Sequence, residues 1–258
     1  MSFRKEYLIL GNNRKKYNDK IEHNTDFRPK TKTLLSDMNF ILEYVEAPAT
    51  ILYIGNGKGD HLSLLVKMFP ELSFFFYFDE GEEFEREKNQ FLIKRKFSND
   101  DVRFWREKSI YEKVYMISDK YTATRVSQTR SEAIRESDMG EQASWIEAIR
   151  PEAASLRFRL RYPTPYYKYQ NYLDGKLYIQ PWDRCFSTEC RMVVLKDEYE
   201  KKVWDLEEFE QRMFYHNTMI REKNYYDQMA TTFIIREYMN AVAVKGEDYF
   251  EHLQKLIL

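Results

Sequence analysis

The stretch from Thr50 to His61 constrains this chain more than any other. An apolar run, Thr50–Ile54, enters a turn with glycines at 55, 57 and 59 and leaves it toward an amphipathic segment. Glycines in such a turn let the backbone approach a ligand and adopt positive φ without a Cβ clash. A second apolar run, Phe74–Phe78, follows and ends on Asp79. A carboxylate at the tip of the next strand is where the ribose of a nucleotide is gripped. Strand, glycine turn, helix and acidic strand tip, in that order, read as a pocket for a nucleotide-type cofactor.

At 258 residues, 43% of them hydrophobic, the chain can bury a full core in one α/β domain. Residues 1–28 are polar and mixed in charge and are expected to form a partly ordered arm; 29–258 are expected to form a single domain. Twenty Tyr and eighteen Phe exceed what packing needs, so some rings are available to stack on a ligand. A net charge of −1 gives no global attraction to nucleic acid, so any basic surface is local. Cys185 and Cys190 show no metal-ligand spacing with the four histidines, so packed thiols in a reducing cytoplasm and no metal are expected. No apolar stretch is long enough to span a bilayer, and the polar N-terminus is not a secretory signal. A soluble, intracellular protein without a membrane partner is the expectation.

Apolar residues from Leu34 to Val45 recur at three and four residues, which predicts a helix over 31–45. A helix over 60–68 should stop before Pro70. Residues 79–113 are crowded with charge and read as a solvated loop-and-helix crossover. Val114–Ser118 reads as a buried strand ending on Asp119, followed by a Ser/Thr/Arg-rich loop over 120–131 and a helix over 138–149. Strands are expected at 154–159, 177–179 and 190–195, and helices at about 206–223 and 228–243. Strands alternating with helices predict a mostly parallel sheet with helices on both faces. Ligands in such sheets bind beyond the carboxyl ends of the strands, where Gly55, Asp79 and Asp119 all fall.

Four residues complete a constellation: Lys32 on the first helix, Asp119 after a strand, Arg157 in a strand of the second half, and Glu189 before the last strand. Taken alone, Lys32 is a solvated helix charge, Glu189 is an ion-pair partner for Arg184 or Arg191, and His61 is a polar helix-start residue. Together they resemble the Lys-Asp-Lys-Glu tetrad of RNA ribose 2′-O-methyltransferases, with arginine in place of the second lysine. The chain is similar, more closely, to the poxvirus cap-specific mRNA 2′-O-methyltransferases that also serve as the small subunit of poly(A) polymerase. The stretches that carry this are 32–35, 53–61, 117–119, 154–157, 180–181, 187–192 and 209–215, collinear from about residue 28 to 225.

The resemblance implies a Rossmann-like methyltransferase fold using S-adenosylmethionine. It assigns Gly55, Gly57 and Gly59 with His61 to the cofactor loop, Asp79 to the ribose hydroxyls, and Phe97 and Ser98 to the adenine flanks. Asp119 would stand near the methionine amino group and the transferring methyl. It assigns cap contacts to Tyr162 and Glu210, with Arg159 and Arg161 as RNA contacts and Tyr17 as a candidate, its register not fixed, for the second stacking ring. The chain departs from the pattern at Gly81, where a cofactor-binding arginine is expected, and at Thr164, where a second cap-reading acid is expected. Residues 153–170 carry Arg157, Arg159, Arg161 and Lys168 among five aromatics and no acid, which suits RNA. Arginine cannot act as a general base in proteins; it can orient a ribose and stabilise alkoxide charge.

Two functions therefore stand side by side. One is cap-specific mRNA 2′-O-methylation of the first transcribed nucleotide, with capped mRNA as partner. The other is a weak or inactive homologue serving as an RNA-binding processivity subunit for a viral poly(A) polymerase catalytic subunit, in the host cytoplasm or the virion. A methyltransferase acting on a small molecule or protein is the third reading.

Overall fold

The computed structural model describes residues 3–18, 26–55, 60–78, 87–122, 127–221, 225–242 and 253. Helix α1 (Pro29–Tyr44) opens on a proline, whose fixed φ suits the first helical position. It buries Leu34, Leu35, Met38 and Ile41 and leads into β1 (Ala49–Gly55), α2 (Asp60–Met68) and β2 (Leu72–Phe78). Next come β3 (Gln90–Ile93), α3 (Asn99–Tyr111), β4 (Val114–Ser118), α4 (Gln128–Ile149) and β5 (Ala153–Phe158). The C-terminal part adds β6 (Tyr169–Leu173), β7 (Lys176–Tyr178), β8 (Cys190–Leu195), β9 (Lys201–Asp205), α5 (Leu206–Tyr215) and α6 (Tyr226–Ala241).

Seven strands form one sheet in the order β3-β2-β1-β4-β5-β8-β7, and β6 pairs with β9 separately. Strands β3 through β5 are parallel, while β8 and β7 run antiparallel. The sheet is therefore mostly parallel, as expected. Strand order reverses between β1 and β4, so right-handed crossovers put α2 and α3 on opposite faces. Helices α1, α2 and α6 pack together, and α3 packs on α4. Both faces are covered, which is why β1 and β4 are apolar almost throughout.

The structure refines several sequence expectations. Within 87–113 lies a strand, β3, followed by α3 with a fully buried Trp105. The indole nitrogen of Trp105 donates to the Tyr77 hydroxyl at 3.0 Å, a contact the surrounding charges concealed. Helix α4 begins at Gln128, ten residues before the apolar pattern becomes visible at Asp138. Strands β6 and β9 lack clean alternation, and Lys201, Lys202 and Val203 are exposed. The helix expected over 206–223 ends its α-helical part at Tyr215 and continues as a π-helical turn, His216–Arg221. The described part of the N-terminal arm is laid against the sheet: Leu8 and Leu10 are buried, and Ile9 bridges to Tyr178. Among the described residues, no helix is long and apolar enough to cross a membrane.

Gly175, between β6 and β7, presses on the neighbouring strand. A Cβ there would lie 2.7 Å from the Val193 carbonyl oxygen and 2.8 Å from the Met192 side chain. Backbone cannot yield as a side chain does, so Gly175→Ala should destabilise the fold by about 1–3 kcal/mol. Urea unfolding with an unchanged midpoint would contradict this.

Candidate functional site

Register builds the site. Strands β5 and β8 pair antiparallel with Arg157 directly opposite Arg191, which leaves Glu189 one residue beyond the ladder. Like charges directly opposed in a sheet are destabilising unless carboxylates intervene. Two do. Glu189 accepts from Arg157 Nε at 2.8 Å and from Lys32 Nζ at 2.7 Å. Asp119, just past β4, lies 3.1 Å from Arg191 Nη2 and 3.8 Å from Arg157 Nη1. Arg191 also donates to the Ser118 carbonyl at 2.9 Å. Lys32, in the first turn of α1, is additionally 3.5 Å from Asp183. All four residues of the predicted tetrad thus converge at the carboxyl ends of β4 and β5. Glu189 takes Lys32 and Arg157 as partners; Arg191 turns to Asp119, and Arg184 stacks on Phe27 at 4.6 Å.

Burial works to raise the Glu189 carboxyl, yet the charges of Lys32 and Arg157 prevail and hold it down at about 2. Burial disfavours the charged Arg157, but Glu189 and Asp119 shift it upward overall, so it remains a cation. Lys32 is locked between two carboxylates.

Beneath the tetrad sits Asp37, which the sequence reading missed. It is fully buried on α1, accepts from the Tyr53 hydroxyl at 3.3 Å and lies 3.8 Å from Arg191. Burial raises its carboxyl to about 7 against the pull of Arg191, with Asp119 adding to the rise. The available signal was a carboxylate set between Leu34, Leu35 and Met38 on an apolar helix face.

The loop carrying Asp183 and Glu189 is fixed from behind. Arg221 of the π-helical turn donates to the Gln180 carbonyl at 2.6 Å and to Asn217 Oδ1 at 2.9 Å. Asn217 in turn donates to the Ser187 carbonyl at 3.1 Å. Asp227 accepts from the Trp182 backbone at 2.9 Å, and the Trp182 indole donates to Thr231 at 2.8 Å. Lost α-helical regularity at 216–221 aims these side chains at the loop.

On the cofactor side, Gly55 ends β1 against Asp119. A Cβ on Gly55 would lie 3.1 Å from the Tyr53 ring and 3.5 Å from Asp119 Cβ. Gly57, Gly59, Asp79 and Gly81 lie outside the described residues. His61 occupies the first turn of α2. Phe97 stands edge-on to Tyr77 and Trp145, at 4.9 and 5.1 Å. The Ser98 side chain is committed to the N-terminal capping box of α3 with Asp101, so the apolar flank falls to Phe97. The Asp119 side chain is 29% exposed where Asp37 is closed off, so it can meet an ammonium group. An aromatic wall and an accessible carboxylate at these strand ends fit the adenine and the methionine amine of S-adenosylmethionine.

Tyr162 lies beyond β5 and Glu210 on α5. No described hydrogen bond or ring contact joins them. Tyr162 instead accepts from Arg159 at 2.8 Å. Burial, then Glu207, shifts the Glu210 carboxyl upward. Tyr17 packs on Phe214 of the same helix at 5.1 Å.

A sequence profile described as Poly A polymerase regulatory subunit matches residues 3–255. The chain belongs to this family. It is 25% identical over 228 residues to the Cap-specific mRNA (nucleoside-2′-O-)-methyltransferase of Fowlpox virus (strain NVSL), covering 80% of this chain and 73% of that protein. Among solved structures, bluetongue virus VP4, titled a multifunctional RNA-capping production line, aligns with a TM-score of 0.51 and 13% identity. That alignment covers 79% of this chain and 36% of VP4, so the chain spans about a third of that protein and the likeness is one of fold. The family member thus carries a Rossmann-like methyltransferase fold.

Replacing Arg191 by Met leaves Asp119 and Asp37 without their buried cation. The expected loss is about 3–5 kcal/mol by urea unfolding. A raised carboxyl favours the folded state most at low pH, and that contribution is lost as pH climbs from 3.8 to about 7. The Asp37 contribution should therefore fall across that window at about 1.4 kcal/mol per unit, opposed by His216, whose imidazole burial holds well below 6.5. Asp37→Asn should remove the falling component, so that stability rises more with pH than in the wild type; an unaltered profile would rule out Asp37 as a source.

Proposed function

We propose that this protein is an S-adenosylmethionine-dependent RNA methyltransferase acting on the ribose 2′-hydroxyl of the first transcribed nucleotide of capped mRNA. The observation that carries the reading is the convergence of Lys32, Asp119, Arg157 and Glu189 at one edge of a methyltransferase-type sheet. Bound S-adenosylmethionine supplies an electrophilic methyl group. The protein's task is to aim an oxygen lone pair at it. Arg157, held by Glu189 and Asp119, is suited to hydrogen-bond the 2′-oxygen and stabilise charge developing on it. It is not suited to take the proton. With Asp119 held by Arg191 and suited to the methionine amine, the proton of the 2′-hydroxyl would leave to solvent as the methyl is transferred.

The same arginine favours a second reading. An arginine that cannot take the proton leaves chemistry slow, while the cations and aromatics of residues 153–170 still suit RNA, as an RNA-gripping subunit of a viral poly(A) polymerase would need. The name of the matched family supports a polymerase catalytic subunit as partner.

Labelled S-adenosylmethionine with capped RNA separates these readings. Label should enter the RNA, disappear when the first nucleotide is 2′-deoxy, and fall sharply with Asp119→Ala. Competition by cap analogue should suppress it, which a small-molecule or protein substrate would not predict. If wild type transfers nothing and Arg157→Lys gains activity, by up to about 10²–10⁴-fold, the native role is binding. Tail elongation by a partner polymerase should then depend on the protein and survive Asp119→Ala.

A further inference from the structure

Arg191 serves two carboxylates with one nitrogen. Its Nη2 lies 3.1 Å from Asp119 Oδ1 and 3.8 Å from Asp37 Oδ1. The shorter contact is a hydrogen bond. The longer is not, and Asp37 Oδ1 accepts no hydrogen bond among the described residues. The other oxygen of Asp37 accepts from the Tyr53 hydroxyl, at 3.3 Å. Arg191 and Asp37 are both enclosed, so solvent relieves neither. One buried cation is thus shared unequally between two acids, in favour of the one that solvent reaches.

The charged and titratable groups acting on Asp37 are Arg191 of β8, Asp119 past β4 and Tyr53 of β1. Lys32 of α1 and Arg157 of β5 are engaged by Glu189 instead. Helices α2 and α6 also pack on α1, and no described charged group of either acts on Asp37. Burial keeps this carboxyl protonated up to about 7 against the pull of Arg191, with Asp119 adding to the rise. A cation arriving at Asp119 alters that balance twice. It neutralises the charge that opposes ionisation of Asp37, and it competes with Arg191 for Asp119, freeing the guanidinium to turn toward Asp37. Both effects favour the ionised carboxylate.

We propose that Asp37 is a positioning residue for the amino acid end of the cofactor: when an ammonium group docks on Asp119, Arg191 passes its pairing to Asp37, which gives up its proton to solvent. The inference rests on reading Asp119 as the partner of the methionine amine of S-adenosylmethionine. The step balances, because a carboxylic acid, a carboxylate, a guanidinium and an incoming ammonium become two carboxylates, two cations and one released proton. Asp37 touches no ligand and acts through Arg191. By linkage, affinity for the cofactor rises with pH through the range in which Asp37 is protonated and levels off above it.

Titration calorimetry of the full chain in buffers of different ionisation enthalpy counts the protons released on binding. Two probes are needed: S-adenosylhomocysteine, which keeps the ammonium group, and 5′-methylthioadenosine, which lacks the amino acid end. At pH 7, S-adenosylhomocysteine should release up to about half a proton more from the wild type than from Asp37→Asn. Titration of the ligand's own amine cancels in that difference. Methylthioadenosine should show no such difference. Below pH 7, affinity of the wild type for S-adenosylhomocysteine should rise with pH more steeply than that of Asp37→Asn, by up to about tenfold per unit. Tyr53→Phe removes a donor to Asp37 and keeps its carboxyl, so it should move the proton release to higher pH; it decides the matter where Asp37→Asn does not fold. Equal release from wild type and Asp37→Asn, or an equal excess with methylthioadenosine, overturns the inference. Binding without Asp37-dependent release sinks this inference alone, whereas no binding of S-adenosylhomocysteine at any pH sinks the cofactor reading and this inference with it.

Discussion

Glu189 accepts from Lys32 on α1 and from Arg157 on β5, and this one carboxylate fastens the first helix to the second half of the sheet. Everything at the site is arranged around the cost of keeping that charge out of water. A buried carboxylate without cations is expensive, and cations without it are equally so. The β5–β8 register brings Arg157 and Arg191 face to face, Asp119 enters from β4, and Asp183 steadies Lys32. Removing any member leaves an uncompensated charge in a medium of low polarity. The site is therefore a mutually compensated electrostatic unit, stiff before any ligand arrives.

That stiffness is borrowed from side chains packed behind the loop. Asn217 and Arg221 hold the loop between β7 and β8 by its carbonyls, and Asp227 holds it by an amide. Loops of this length are ordinarily soft. Here the backbone polar groups of the loop are matched by side chains of one π-helical turn and α6. Glu189 arrives at its partners with little freedom left to lose, which is what orienting a hydroxyl requires.

Much of this was legible in the residues. The apolar strands alternating with helices specified a mostly parallel sheet, because strands buried on both faces must be apolar. The tetrad was legible only through a resemblance to RNA ribose 2′-O-methyltransferases; that its four side chains meet is what the structure adds. Partner choice was not legible. Arg157 and Arg191 each interrupt an apolar strand, and strand register sends Arg191 to Asp119 and Arg157 to Glu189. Asp37 looked like an irregularity in an apolar stripe. Strand β3 and the first part of α4 were hidden because their exposed sides carry the charge, and periodicity fades where only one side of an element is buried.

The two margins of the main sheet are unlike. At the β7 side, Leu10 donates to the Leu177 carbonyl at 2.9 Å and Ile179 donates to the Leu8 carbonyl at 2.8 Å, so the chain's own beginning seals that rim. At the other side β3 is four residues long and followed by Lys94, Arg95 and Lys96. Short, lysine-flanked rims resist adding a foreign strand. A polypeptide fused ahead of Leu8 therefore pulls on a structural seam, and one that shortens this segment unzips the rim nearest Tyr178 and invites self-association there.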